Sequence, residues 1–520
     1  MHSNKFQRIF IPVFLIFLTI LTRFCFLDWG NGYFFNPDEN NMAVAVSKMT
    51  LSDLNPHFFA YGQFPLFLTF FTTPVHNFFT IVMTLRFWSA IFSSFSILFF
   101  YLIAKNIFKS QKIGYIFALL LIFTPGLIQS AHFGTTESLL IFVFSVNIFL
   151  SLKYYQTEKK SFFLFSILIG AIGLGSKITA VFFILPFYIC LLLIFTKNKK
   201  LLNFIFSVLI FSLLISLLSI IFSPFNIIKF SDFKSSMIYE TSVAVGNAKV
   251  FYTRQFENSP SYFFQLKNVF PYANGIFIFI FSFIGFLFFL KTKIKKEFFL
   301  ILIPSIFYFI YTGQLFVKWS RFMSPIFFTA PFFCLFFIEK IKNKFLILIL
   351  LTIMISPGFY FFQKYFSLDT RTTASEWIES NIPPDSFVLS ESGNVVNLPL
   401  AYSNLKIDNF DFYQLDFTPS LLEKLSQDLV SADYIFVPSR RVFKNQNNNN
   451  FPLSQNYYKN LFSGNLGFVE IKNINNSKDL FLNSENAEET WSVFDSPTIR
   501  IYKKVNNLTL DDYRKLLTNN

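Results

Sequence analysis

Eleven apolar runs, most of them near 20 residues, occupy about 9–27, 84–104, 113–130, 138–152, 161–175, 178–196, 201–223, 272–290, 298–317, 322–338 and 345–362 of this 520-residue chain. A hydrocarbon core of ~30 Å takes about 20 helical residues to cross, and inside it every backbone polar group needs an internal partner. A chain patterned this way is confined to a bundle of membrane-spanning helices. Composition agrees, with 53% hydrophobic and 14% charged residues, against ~25% charged in an ordinary soluble protein. Neither a soluble globule nor a disordered chain fits. Cys25, Cys190 and Cys334 lie in or beside apolar runs, which excludes a disulfide scaffold and a cysteine-rich metal module.

The formal net charge is +14. No nucleic-acid-binding motif accompanies it. The lysines instead fill short gaps between runs, at Lys105/Lys109/Lys112, Lys153/Lys159/Lys160, Lys197/Lys199/Lys200, Lys291/Lys293/Lys295/Lys296 and Lys340/Lys342/Lys344. The positive-inside rule places these loops in the cytoplasm with the N-terminus, which carries Lys5 and Arg8. The first run lacks a small-residue cleavage site and reads as a retained anchor. Residues 57–83 are also apolar, but Pro65 and Pro74 interrupt them, and a single crossing there would invert every later loop. The first outer loop is therefore expected at 28–83, with interfacial or re-entrant helices. The expected architecture is an α-helical polytopic membrane domain over 1–362, with about 11 transmembrane helices, and an extracytoplasmic segment over 363–520.

Within that segment, Thr373-Ala-Ser-Glu376 forms a capping-box pattern ahead of Trp377 and Ile378. Phe387–Leu389, Tyr434–Val437 and Ile499–Tyr502 read as strands, so a small α/β domain is expected. Asn445–Asn450 reads as a solvated low-complexity loop.

On this topology Asp38, Glu39, Glu137, Lys177, Lys318 and Arg321 all fall at the outer membrane surface. Ionisable groups beside membrane helices are costly and mark function. A carrier would hold them near the midplane at broken helices, whereas charges of both signs at one face suit an extracytoplasmic active site. Each residue also has a plain structural reading. Asn36-Pro37-Asp38-Glu39 is an ordinary capped helix start. Adjacent helical residues face differently, so one carboxylate can serve the helix while the other does chemistry. Glu137 follows the capping candidates Thr135 and Thr136. Lys177 can snorkel, and Lys318 and Arg321 can anchor a membrane boundary. Their shared sidedness is what favours function.

Several short motifs carry a family likeness. They are Asn36-Pro-Asp38-Glu39-Asn, Asn55-Pro-His57-Phe-Phe-Ala-Tyr61-Gly-Gln63-Phe-Pro65-Leu, Thr136-Glu137, Gly173-Leu-Gly175-Ser-Lys177 and Arg321-Phe-Met-Ser-Pro325. In this order, over 1–340, the chain resembles the family 39 membrane glycosyltransferases of GT-C architecture, which include protein O-mannosyltransferases and the bacterial aminoarabinose transferase. Asp369–Leu389 is similar to the start of that family's bacterial outer domains. Two departures stand out: Glu137 where many relatives carry Asp, and Phe322 where many carry Tyr.

The resemblance implies an inverting transfer of a sugar from a polyprenyl-phosphate donor to a lipid, glycan or protein acceptor, in a bacterial or archaeal plasma membrane. It implies Asp38 as base with Glu39 in support. Arg321 and Lys177 would hold the phosphate, with Lys318 a weaker ligand. Glu137, His132, His57 and Tyr61 would line the sugar or acceptor site. The chemistry asks for a carboxylate to take the acceptor proton and for fixed cations where negative charge develops. The chain carries neither HExxH nor P-loop, so neither a tightly bound metal nor a nucleotide is expected. A loosely held divalent cation on the carboxylates stays open. The alternatives are a carrier or flippase for a lipid-linked substrate and a non-catalytic scaffold.

Overall fold

The computed structural model describes residues 2–293, 295–393, 397–400, 404–446, 450–475 and 480–518. In chain order its helices begin with α1 (His2–Phe24), α2 (Pro37–Ser47), α3 (Phe64–Thr72), α4 (Phe78–Phe108) and α5 (Gln111–Ile122). There follow α6 (Pro125–His132), α7 (Glu137–Thr157), α8 (Lys160–Leu174), α9 (Val181–Asn198) and α10 (Leu201–Phe222). Four further elements, α11 (Phe225–Ile228), α12 (Phe230–Val245), α13 (Phe263–Asn268) and α14 (Phe270–Asn274), link these to α15 (Ile276–Leu290). The bundle ends with α16 (Lys296–Gly313), α17 (Ser320–Met323), α18 (Thr329–Ile338) and α19 (Lys344–Gln363). Each apolar run is thus helical. Among the described residues six helices are long and apolar enough to cross a membrane singly, three bent pairs qualify as broken spans, and Ile9–Phe24 and α8 are shorter apolar helices.

The bends have local causes. Pro125 opens α6 at 60° to α5, which leaves the Ile122 carbonyl without a helical partner and that of Leu121 with the Thr124 N–H at 3.3 Å. The buried Arg23 guanidinium donates to both, at 3.0 and 2.8 Å. An unpaired carbonyl inside a bilayer costs several kcal/mol, so this arginine is part of the bend. Between α14 and α15 the chain turns 112° at Gly275, whose φ of +77° suits a residue without Cβ.

Some element bounds differ from the sequence reading. Helix α4 starts at Phe78, so the first outer loop ends before residue 83. Within it, α3 is a nine-residue helix. Run 138–152 extends to the 21 residues of α7, and the largely exposed α12 was not foreseen.

The C-terminal part holds a five-stranded sheet made of β1 (Phe387–Glu391), β2 (Lys406–Phe410), β3 (Tyr434–Val437), β4 (Phe468–Ile474) and β5 (Ile499–Lys504). Its order is β2-β1-β3-β5-β4, with β1 parallel to β2 and β3, and β5 antiparallel to β3 and β4. The three strands expected from sequence are the inner ones. Edge strands β2 and β4 are largely solvent-facing and polar, which hid them. The capping box is corrected too: the helix Thr370–Asn381 starts earlier, capped by Asp369, which accepts the Arg371 N–H at 2.9 Å. Asn445 is buried and ends a short helix rather than opening a solvated loop, its Oδ1 accepting Gln255 N–H at 2.9 Å. Residues 447–449 of that tract lie outside the described residues.

Candidate active site

The motif segments meet at the end of the bundle away from the lysine loops. Gly62 N–H donates to Ser176 O at 2.8 Å and Phe64 N–H to Gly175 O at 3.1 Å, which ties the loop carrying Tyr61 to the α8–α9 junction carrying Lys177. The approach requires glycine, because a Cβ on Gly62 would sit 2.1 Å from Gly175 O. Two distant motifs are thus locked together through backbone alone.

Helix α2 separates the two acids. Asn36 caps it, its Oδ1 accepting the N–H groups of Asp38 and Glu39 at 3.0 and 3.2 Å. Successive residues point about 100° apart, and here the directions differ completely in chemistry. Glu39 is fully buried and takes a two-pronged bond from Arg86 of α4, Nε to Oε2 at 2.9 Å and Nη2 to Oε1 at 2.7 Å. Gly134 N–H adds a third bond at 2.7 Å. Trp29 lies 4.9 Å from the Arg86 guanidinium. The structure therefore removes Glu39 from the catalytic pair: its oxygens tie α2 to α4 and to the α6–α7 turn.

Asp38 faces a cleft. Its Oδ2 pairs with Arg321 of α17, and its Oδ1 lies 3.4 Å from the Tyr61 hydroxyl that donates to it. Glu137, at the start of α7, lines the same cleft and pairs with Lys177 at 3.6 Å. Lys177 did not snorkel outward; its Nζ sits over the rings of Tyr61 and Phe322, at 5.0 and 5.6 Å. Phe322 also flanks Arg321, whose guanidinium lies 5.7 Å from the ring centre. No threonine hydroxyl caps α7; Thr136 holds the cap position without a side-chain bond.

The cleft is narrow, with about 20 Å³ of free volume. Its walls carry buried polar atoms without a hydrogen-bond partner, the donors Arg321 Nε, Ser320 Oγ and Thr490 Oγ1 on one side and the acceptor Glu137 Oε1. Buried donors are rarely left unpaired. Three converging on one small space suit an anion with several acceptor oxygens.

Thr490 belongs to a part of the site that sequence reasoning missed. A buried π-helical turn, Thr490–Asp495, reaches from the sheet domain into the bundle end. Glu488, just before it, accepts the Ser320 N–H at 2.8 Å, and burial pushes its carboxyl above the usual range. Asp495 accepts from Gln129 of α6 at 2.9 Å and pairs with Lys364. The acid-rich stretch Glu485-Asn-Ala-Glu-Glu beside Trp491 was the available signal.

Three further expected residues lie elsewhere. His132 is buried beneath Tyr365, ring centres 4.0 Å apart, with its nitrogens against the carbonyls of Ile128 and Cys25. It packs rather than lining the cleft, because α6 turns its last side chain into the bundle. His57 is exposed in its own loop beside Asn55 and Asp53. Lys318 donates to Phe316 O at 2.9 Å beneath the rings of Phe256 and Phe316, and burial lowers its affinity for the proton. Among the described residues no group of three or more His, Cys, Asp or Glu side chains converges as a metal site would.

A family model described as dolichyl-phosphate-mannose-protein mannosyltransferase matches residues 65–227. No curated protein matches the chain. Among solved structures, the chain is similar to ArnT from Cupriavidus metallidurans bound to undecaprenyl phosphate, with a TM-score of 0.53 and 11% identity over 82% of this chain and 92% of that one. The apo state of the same ArnT gives 0.53 and 10%, over 84% and 93%. The apo oligosaccharyltransferase from Archaeoglobus fulgidus gives 0.55 and 13%, over 88% and 73%. At such identities the likeness is one of fold.

Proposed function

We propose that this chain, a GT-C membrane protein of the family 39 type, is an inverting glycosyltransferase acting on a polyprenyl-phosphate sugar at the extracytoplasmic face. The observation that carries the reading is the cleft in which Asp38 and Arg321 face one another beside unpaired donors. The family match and the fold shared with an ArnT that binds undecaprenyl phosphate support the donor class.

The chemistry follows from the two sides of the cleft. Asp38 accepts the proton of the acceptor hydroxyl as its oxygen attacks the anomeric carbon. The bond to the phosphate oxygen breaks on the opposite face, and the departing lipid phosphate keeps the electron pair. Arg321, Ser320 and Thr490 meet that charge, with Lys177 behind Glu137. Arg321 pairs with Asp38, and a donor phosphate would compete for the guanidinium and so free the carboxylate for the acceptor. A loosely held divalent cation would contend with Arg321 for the same oxygens.

The clamp is tested by Arg321→Ala, which is expected to slow transfer by about 10–150-fold, the worth of one charged hydrogen bond. Arg321→Lys is expected to restore only part, since a point charge lacks the guanidinium fork. Unchanged transfer from a variant lacking both Arg321 and Lys177 would remove the clamp from the mechanism. Sidedness has its own test, in a Cys25→Ser background. A cysteine replacing the exposed Leu51 is expected to react with an impermeant thiol reagent in intact cells. One replacing Lys199 should stay unlabelled, and its labelling from outside would reverse the orientation.

A further inference from the structure

Glu488 is a fully buried carboxylate that stands behind the wall of the cleft rather than on it. Its Oε2 accepts two backbone N–H groups, that of Ser320 at 2.8 Å and that of Thr490 at 3.2 Å. The first belongs to the bundle, in the segment that brings Arg321 to Asp38. The second opens the π-helical turn of the sheet domain. One oxygen thus fixes the spacing of two segments that are distant in the chain. Each presents a hydroxyl to the cleft without a hydrogen-bond partner, Ser320 Oγ on one side and Thr490 Oγ1 on the other.

The bonds form although Glu488 Oε1 is left without a partner. A buried oxygen so left costs stability, and that cost is borne directly beside the cleft. The neighbouring Glu489 pairs with Arg441 at 3.1 Å, whereas Glu488 pairs with no cation among the described residues. Its geometry is that of a brace between two strands of backbone. The far end of the turn is fixed as well. Arg371, in the first helix of the sheet domain, donates to the carbonyls of Val493, Phe494 and Asp495 at 3.3, 3.1 and 3.1 Å. Its guanidinium also lies 3.8 Å from the ring centre of Phe35, the residue before the cap of α2. Thr490 is therefore held from both ends of a short turn, as a group that must meet a ligand in one geometry needs to be.

We infer that Glu488 is a positioning residue of the donor site: through one oxygen it holds Ser320 and Thr490 at the spacing at which their hydroxyls meet the departing lipid phosphate. The inference rests on the glycosyltransferase reading, and lipid-phosphate binding is measured so that the two can fail separately. The full chain in lipid nanodiscs is titrated with farnesyl phosphate and with farnesol, after subtraction of empty nanodiscs. The wild type is expected to prefer farnesyl phosphate. Two conservative variants then separate position from charge. Glu488→Gln keeps an oxygen of the same reach and drops the charge, and is expected to bind within about threefold of wild type. Glu488→Asp keeps the charge but draws the oxygen back by one methylene, and is expected to weaken binding by at least about tenfold. In a Ser320→Ala, Thr490→Val background, itself weaker than wild type, the same Asp substitution is expected to change affinity by less than about threefold, because no hydroxyl is left to position. Gel filtration and the unfolding temperature report whether each variant is folded. The Gln form and the hydroxyl-free background decide the matter even where the Asp form does not fold. A folded Gln form as weak as the Asp form or at least tenfold weaker than wild type, a folded Asp form that binds like wild type, a hydroxyl-free background that binds like wild type, or an undiminished Asp effect in that background overturns the positioning role and leaves the glycosyltransferase reading in place. A wild type that takes farnesol as readily as farnesyl phosphate overturns that reading, and the inference with it.

Discussion

Asp38→Asn is expected to lower sugar transfer by about 10²–10⁴-fold, the usual worth of a positioned general base, while the protein keeps its yield and thermal stability. The expectation is sharp because capping has been assigned elsewhere. Asn36 satisfies the first amides of α2, including that of residue 38 itself. The Asp38 carboxylate adds to stability a helix-dipole term of ~0.3–1 kcal/mol and a partly exposed ion pair with Arg321, worth about 0–1 kcal/mol when open to water. Asn fills the same volume and still accepts from Tyr61, but it cannot take a proton from an attacking hydroxyl.

The measurement is transfer from a labelled polyprenyl-phosphate sugar by detergent-solubilised protein, set beside its unfolding temperature. Transfer within a few fold of wild type would deprive Asp38 of the base role. Glu137 then becomes the next carboxylate to examine, since it lines the same cleft. A variant that loses activity together with its fold would point to structure instead, which the exposure of Asp38 to the cleft argues against.

The apolar runs were legible because a bilayer demands runs of a fixed length, and each is helical, three of them as bent pairs whose breaks the run lengths did not show. The grouping of Asp38, Glu137, Lys177 and Arg321 was legible for a related reason, whereas Tyr61 came only with the family resemblance. Once lysine loops mark one end of the bundle, charges at the helix ends opposite must share the other. The choice between Asp38 and Glu39 was not legible from local pattern, because it depends on Arg86, 47 residues away. A signal did exist, in an arginine inside an otherwise apolar helix, which requires a partner. His132 was expected at the site only through the family resemblance, and carbonyls on both sides of its ring make it a packed histidine here. The contribution of Glu488 and Thr490 came from tertiary docking of a second domain, for which no periodicity exists to read.

Glu39 should behave in the opposite way to its neighbour. Glu39→Gln is expected to destabilise the fold by about 3–5 kcal/mol, the cost of stripping one member from a buried ion pair. Arg86 would be left as an unmatched charge in a setting with no water to solvate it. Arg86→Met alone should be comparably damaging, because Glu39 then keeps only the Gly134 amide. Combining the two substitutions is expected to recover much of the loss, since replacing a whole buried pair by uncharged groups is often close to neutral. Thermal unfolding of the three variants, followed by size-exclusion chromatography in detergent, reads this directly. A catalytic Glu39 would give another pattern: Glu39→Gln folded but inactive, with Arg86→Met unable to rescue it. Recovery of stability and of transfer together in the double variant would confine Glu39 to holding α2 on α4, with the orientation of Asp38 as its only influence on the chemistry.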